Sequence, residues 1–226
     1  MKKNNFYIII PARKNSKRIP DKNLIKILNY KLIEYTIRHA KLSKKKTNLF
    51  ISSDDFRIKK ISDKHKVNFT LRSKKNSQDK STTESAILET INQNKKKIIF
   101  NKNSHIVLLQ CTSPIRFRND IDKAIKHYIK NKLDSLFSGC ENKNLFWGQS
   151  NKKLQPINYN MFKRKREQSM QKQFIENGSI YIFNLLKFLK YKNRLFGKIG
   201  IFLMNKITSI QIDDKEDVII CRKLLK

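Results

Sequence analysis

Short apolar runs alternate with amphipathic stretches along most of this chain, and that alternation restricts its fold more than any other feature. Residues 6–10 form an unbroken apolar run, the pattern of a strand covered on both faces. Leu32, Ile33, Tyr35, Thr36, Ile37 and Ala40 then fall at helical spacing. The same succession recurs. Residues 49–52 read as a strand and Ile58, Ile61 and His65 as a helix. Residues 67–71 read as a strand and 82–91 as a helix capped by Thr82 or Thr83. A buried strand is expected at 106–109, then a helix capped by Asn119 and carrying Ile121, Ala124, Ile125, Tyr128 and Ile129. Residues 136–138, 178–183, 199–204 and 210–212 are further strand candidates, and Val218, Ile219, Leu224 and Leu225 mark a last helix. Repeated strand–helix units imply an α/β sheet with parallel strands at its centre. At 226 residues the expectation is a single domain over 1–226. One stretch, 141–174, breaks the pattern. It is polar and basic, with scattered aromatics and no stable period, and reads as an arm leaving the sheet.

The formal net charge is +33. A balance so basic raises a polyanion as partner. The excess is made of 40 Lys against 11 Arg, in a chain rich in Asn and Ile, and it is spread along the whole sequence. Residues with AT-rich codons explain it as a drifted, solvated surface, so no specific nucleic-acid partner is expected. The few arginines are then more informative than the many lysines. No apolar run is long enough to span a membrane. Cys111, Cys140 and Cys221 are far apart and odd in number, which fits a reducing cytoplasm and not a disulfide framework.

In an open α/β sheet, ligands bind beyond the carboxyl ends of the strands, and three loops there carry unusual chemistry. After the first strand, Arg13, Lys14, Lys17 and Arg18 place four cations in six residues, followed by Lys22 and Asn23. Cations and backbone amides together hold phosphates. Gln110 closes the apolar strand at 106–109, a poor place for an amide needed only for packing. Asp213 and Asp214 follow the strand expected at 210–212. Asp214 suits the cap of the last helix, and Asp213 suits a Mg²⁺ ligand.

The stretches "IIPARKNSKRIPDKN", "ISSDD", "LRSKKNSQDKSTT", "LLQCTSPIRFRNDID", "FIENGSIYIF" and "IQIDDKEDV" resemble, in order and spacing, those of the acylneuraminate cytidylyltransferases, the CMP-sialic acid synthetases. The resemblance covers nearly the whole chain. It implies a three-layer α/β/α fold with a mixed, largely parallel sheet, of the nucleotide-diphospho-sugar transferase type, with an extended arm. The implied reaction joins CTP to a nine-carbon 2-keto sugar acid, with Mg²⁺, giving the CMP-sugar and pyrophosphate. Arg13, Lys17 and Lys22 match phosphate-binding positions, with Arg13 and Lys17 expected to act in catalysis. Asn23, Arg72 and Thr83 match contacts to the nucleotide. Gln110 matches a contact to the sugar acid, and Asp213 a metal-binding aspartate. The family's arm commonly exchanges across a two-fold axis, so a homodimer is implied.

Three positions depart from the family pattern. Gln211 stands where an aspartate is usual, so one carboxylate near the metal is neutral. Glu167 falls where an arginine for the sugar carboxylate would stand, leaving that role to Arg166. Cys111 replaces a proline after Gln110. The alternatives are synthetases of CMP-legionaminic, CMP-pseudaminic or CMP-Kdo type, an inactive member, and a nucleic-acid-binding protein on an enzyme fold.

Overall fold

The computed structural model describes residues 4–226, apart from the side chain of Glu167. In chain order the elements are β1 Asn5–Pro11, β2 Lys26–Ile27, β3 Tyr30–Lys31, α1 Leu32–Leu42, β4 Lys46–Ser53, α2 Phe56–Lys64, β5 Asn68–Leu71, α3 Thr83–Gln93 and β6 Ser104–Leu109. They continue with α4 Asp120–Lys130, β7 Ser135–Asn142, β8 Trp147–Ser150, β9 Lys153–Pro156, β10 Gln173–Asn184, α5 Leu185–Tyr191, β11 Ile199–Leu203 and α6 Lys215–Leu224.

Seven strands form one sheet in the order β11-β7-β10-β6-β1-β4-β5. β1 lies parallel to β4 and β6, β4 to β5, and β11 to β7. Only β10 is reversed, pairing antiparallel with both β6 and β7. Residues alternate between the two faces of a strand, and β1 shows the consequence. Phe6, Ile8 and Ile10 join one core, and Tyr7 and Ile9 the other. The first core is closed by α1, α2, α4 and α6, through Leu32, Ile33, Ile37, Ile58, Ile121, Ile125 and Cys221. The second is closed by α3 and α5, through Ile87, Ile91, Leu185 and Phe188. The expected three-layer, largely parallel architecture is therefore the one observed. Two-sided burial explains why the central strands are unbroken apolar runs.

The arm has more order than its sequence implies. β7 and β10 run on as a ribbon, pairing Asn142 with Gln173 and Cys140 with Ile175, and the hairpin of β8 and β9 stands on its end. Between Glu176 and Tyr181 the register shifts. Asn177 fills that irregularity, its fully buried Oδ1 accepting from Ser138 Oγ at 2.6 Å and from the Ser179 amide at 3.1 Å.

Three expectations are corrected. Residues 210–212 do not join the sheet. Ile212 plugs the core at the end of the strands, and its amide donates to Thr112 O at 2.7 Å. Asp213 therefore follows a loop, not a strand. Asn119 stands at the N-cap of α4 but makes no capping hydrogen bond there. Its φ is 71°, and Asp120 Oδ2 takes the Phe117 amide instead. Helix α5, which begins directly at the end of β10, was not foreseen. Thr82, of the two candidates, caps α3, accepting from the Ser85 amide at 3.1 Å.

Candidate active site

The chain runs from β1 outward through β4 and β5 and then returns to the other side of β1 with β6, so the strand order reverses beside β1. Ligand crevices open at such switch points, beyond the carboxyl ends of the strands. A cleft of about 280 Å³ lies there, lined by the loops after β1 and β6, by Arg72 after β5 and by the N-terminus of α3. Of the residues anticipated from sequence, Arg13, Lys22, Asn23, Arg72, Thr83 and Gln110 line it together.

The cation loop is held at several points by carboxylates and amides. Asn23 Nδ2 donates to Arg13 O at 2.9 Å, tying the loop's two ends. Asp54, just after β4, accepts from the Lys14 amide at 2.8 Å. Arg57 spans Asp55 and Asp21 with charge-assisted bonds, including 2.6 Å to Asp21 and 2.7 Å to Asp55. Those bonds hold the Asp21 and Asp55 carboxyls below their ordinary range. Asp79, in the loop between β5 and α3, takes Arg13 at 3.0 Å and Lys17 at 3.2 Å, and these cations likewise depress its pKa. Lys17 thus sits beside Arg13 on one carboxylate, although it does not line the cleft itself. Asp21, Asp54, Asp55, Arg57 and Asp79 were given no role from sequence. Asp54 and Asp55 lie in the "ISSDD" turn at a strand end, and Asp21 and Asp79 within other quoted stretches, but their pairing across distant loops has no periodic trace.

On the other wall, the Lys22 ammonium is nearly buried and donates to Ile212 O at 2.8 Å and to Asp213 Oδ1 at 2.9 Å. An ammonium has three donors, so one remains for a ligand. Asp213 Oδ2 has Arg18 at 3.8 Å. The anticipated division of the two aspartates holds on one side. Asp214 caps α6, its Oδ1 accepting from the Asp217 amide at 2.9 Å while Asp217 Oδ2 returns to the Asp214 amide. No cluster of three acidic, His or Cys side chains cages a cation among the described residues. Mg²⁺ retains several waters and binds through one or two carboxylates plus substrate phosphates. Asp213 alone therefore fits a metal shared with a polyphosphate and does not fit a dedicated cage.

Arg72 is buried, with Nη2 donating to Asn76 O and Nε without a partner among the described residues. Burial lowers its pKa. Gln110 meets the turn of β10. Gly178 has φ +64°, and a Cβ there would lie 2.6 Å from Gln211 Oε1 and 2.9 Å from Gln110 Oε1. The backbone angle favours glycine, and a methyl there would push the two glutamine amides aside. Cys111 is buried beneath this corner, where burial pushes its thiol up to about 12, so it is a packing residue and not a nucleophile. Arg166 is not brought to this cleft. It is exposed on the arm.

Comparisons with known proteins agree with this fold. The fold matches the CTP complex of CMP:2-keto-3-deoxy-manno-octonic acid synthetase with a TM-score of 0.73 at 16% identity, covering 98% of each chain. It matches 4-diphosphocytidyl-2C-methyl-D-erythritol synthase with the same TM-score at 9% identity, over the full length of both. These likenesses show that the chain shares the fold of these two enzymes. The cytidylyltransferase family profile matches residues 7–218, and the chain belongs to that family. It is 28% identical to N-acylneuraminate cytidylyltransferase of Streptococcus agalactiae serotype III (strain NEM316), over 93% of this chain and 51% of that protein. The chain thus spans about half the length of the streptococcal relatives it matches. It is also 28% identical to pseudaminic acid cytidylyltransferase of Campylobacter jejuni (strain 81-176), over 96% of this chain and 95% of that one.

Proposed function

We propose that this protein transfers CMP from CTP to a nine-carbon 2-keto sugar acid of the sialic acid type, releasing pyrophosphate. The observation that carries the reading is the meeting of a braced cation loop, the Lys22–Asp213 pair and the Gln110–Gly178 corner around one cleft at the strand ends. Arg13 and Lys17 hold the β- and γ-phosphates, exchanging Asp79 for phosphate oxygens. Arg72, Asn23 and Thr83 contact the nucleoside. The anomeric C2 hydroxyl of the acid, oriented by Gln110, attacks the α-phosphorus. A new P–O bond forms, the bond to the bridging oxygen breaks with its electron pair leaving on pyrophosphate, and the hydroxyl proton passes to solvent water. Negative charge grows on that leaving group, and Arg13, Lys17 and Lys22 stabilise it there. Asp213 would hold Mg²⁺, which polarises phosphate oxygens when bound.

The arm supports a homodimer. Leu154, Ile157 and Phe162 are 69%, 67% and 87% exposed on it, apolar surface that a second copy would cover. An arm from the partner could also carry an arginine such as Arg166 to a cleft its own chain does not reach with it. A second reading, a pseudaminic-type acid as acceptor, is favoured by the match in length to the Campylobacter relative. Pyrophosphate release from CTP, ATP and UTP with a panel of nine-carbon acids and Kdo tests all of this. CTP with one nine-carbon acid should stand far above the rest. Equal turnover of CTP and ATP, or no turnover with any acid, would refute the reading.

A further inference from the structure

Arg116 follows the loop that leaves β6 and is 5% exposed. A buried guanidinium is costly unless its surroundings compensate it. Here the partners are all neutral. Nη1 donates to Thr36 Oγ1 at 3.2 Å, and Nη2 donates to Gln110 O at 2.8 Å and Ser179 O at 2.9 Å. Nε has no partner among the described residues. The nearby Asp120 carboxylate accepts the Phe117 amide at 2.7 Å and acts on Arg116 through its charge, not as a hydrogen-bond partner. Burial lowers the Arg116 pKa, but only to about 10, so the charge persists at neutral pH.

The two carbonyls bound by Nη2 belong to the two strands that build one corner of the cleft. Gln110 ends β6, and Ser179 follows Gly178 in the irregular turn of β10. That turn packs against the Gln110 side chain itself. Ser113 Oγ adds a further tie between the same two segments, donating to Asn177 O at 2.7 Å. A rigid fork is suited to fixing two acceptors at a set separation, as a lysine is not.

We propose that Arg116 is a positioning residue for the acid-binding corner. It locks Gln110 to the Gly178 turn and places a buried positive charge behind the corner that receives the anionic acceptor. The proposal rests on the sugar-acid reading above. It separates two halves of one cleft, since Arg13, Lys17 and Arg72 lie on other loops and do not depend on Arg116.

The test is steady-state kinetics of Arg116→Met and Arg116→Lys, with the acceptor identified for the wild-type protein. Arg116→Met keeps volume and removes charge and fork. Its KM for the acid should rise about 10- to 100-fold, the scale of a misplaced substrate contact, while its KM for CTP stays within about twofold. Arg116→Lys, which keeps the charge, should recover part of the loss. If Arg116→Met does not fold, Thr36→Val removes one anchor of the guanidinium, and the same one-sided rise in acid KM, about threefold, is expected. Parallel rises in both KM values, or an unchanged acid KM in a folded variant, overturn the proposal while leaving the function standing. No turnover by the wild-type protein with any acid overturns the functional reading, and this proposal with it.

Discussion

Lys22 donates its ammonium to Asp213 at 2.9 Å, and the two residues are 191 positions apart. The loop after the first strand and the loop before the last helix are thereby tied together beside the cleft, which Lys22 lines and Asp213 does not. The pair does not satisfy itself, because Lys22 keeps a donor and, among the described residues, Asp213 Oδ2 meets only Arg18 at 3.8 Å. A carboxylate so placed can serve a hard cation without leaving its lysine. Asp213→Asn keeps an acceptor for Lys22 and removes the charge. Turnover should fall by about 10²-fold or more, the Mg²⁺ concentration for half-maximal rate should rise, and the thermal midpoint should stay close to wild type. Full activity in Asp213→Asn would end the metal assignment.

Arg13 and Lys17 share one carboxylate, that of Asp79. Alanine at either should lower kcat/KM for CTP by about 10²-fold, the scale of one lost charge-assisted contact in a phosphate site. Lys44 and Lys45 are exposed in an equally basic stretch after α1, and alanine there should change kcat/KM less than twofold. Equal effects in the two stretches would show that bulk charge, not the braced loop, holds the nucleotide.

Gly178→Ala tests the corner between Gln110 and Gln211. The residue has φ +64°, and left-handed backbone costs a non-glycine residue roughly 1–2 kcal/mol. The added methyl must also displace the two amides. The melting temperature should drop by several degrees, and KM for the acid should rise more than KM for CTP. A variant with wild-type KM values would show that Gln110 does not face the acceptor.

The central strands were legible because burial on both faces writes a continuous apolar run, and the loops after them stood out by what interrupts such runs. Arg13 to Arg18 and Gln110 were found in that way. Residues 210–212 misled because Ile210 and Ile212 alternate like a strand, whereas Ile212 serves only as a plug and its amide bonds a loop carbonyl. Helix α5 was hidden by its join to β10, with no polar break except Asn184, whose side chain caps it by accepting from Lys187 at 3.1 Å. The braces Asp54–Lys14 and Asp79–Arg13 link positions 40 and 66 apart. No local pattern records such pairs, so the cations were readable and the groups that aim them were not.

Acid lability should appear in two separable windows. His39 and His105 are both held down to about 4 by burial, His39 also by the nearby Arg116 and Arg38. Their ordinary value is 6.5, so between about 6.5 and 4 the unfolded chain binds more protons than the folded one. Stability therefore falls as pH drops through that range. Glu34 adds to a second window, together with the depressed carboxyls of Asp21, Asp55 and Asp79. Burial of Glu34 raises its carboxyl's pKa, but hydrogen bonds from His65, the Lys31 amide and Lys64 outweigh that and bring it to about 2, against 4.5 ordinarily. A depressed carboxylate stabilises the fold above the unfolded value and loses that contribution as pH falls from about 4.5 towards 2. Melting temperatures measured in small pH steps should decline from just below pH 6.5 and steepen below 4.5. In Glu34→Gln the lower slope should become shallower while the upper one persists, and a slope below 4.5 unchanged from wild type would mean that Glu34 contributes nothing to the acid transition.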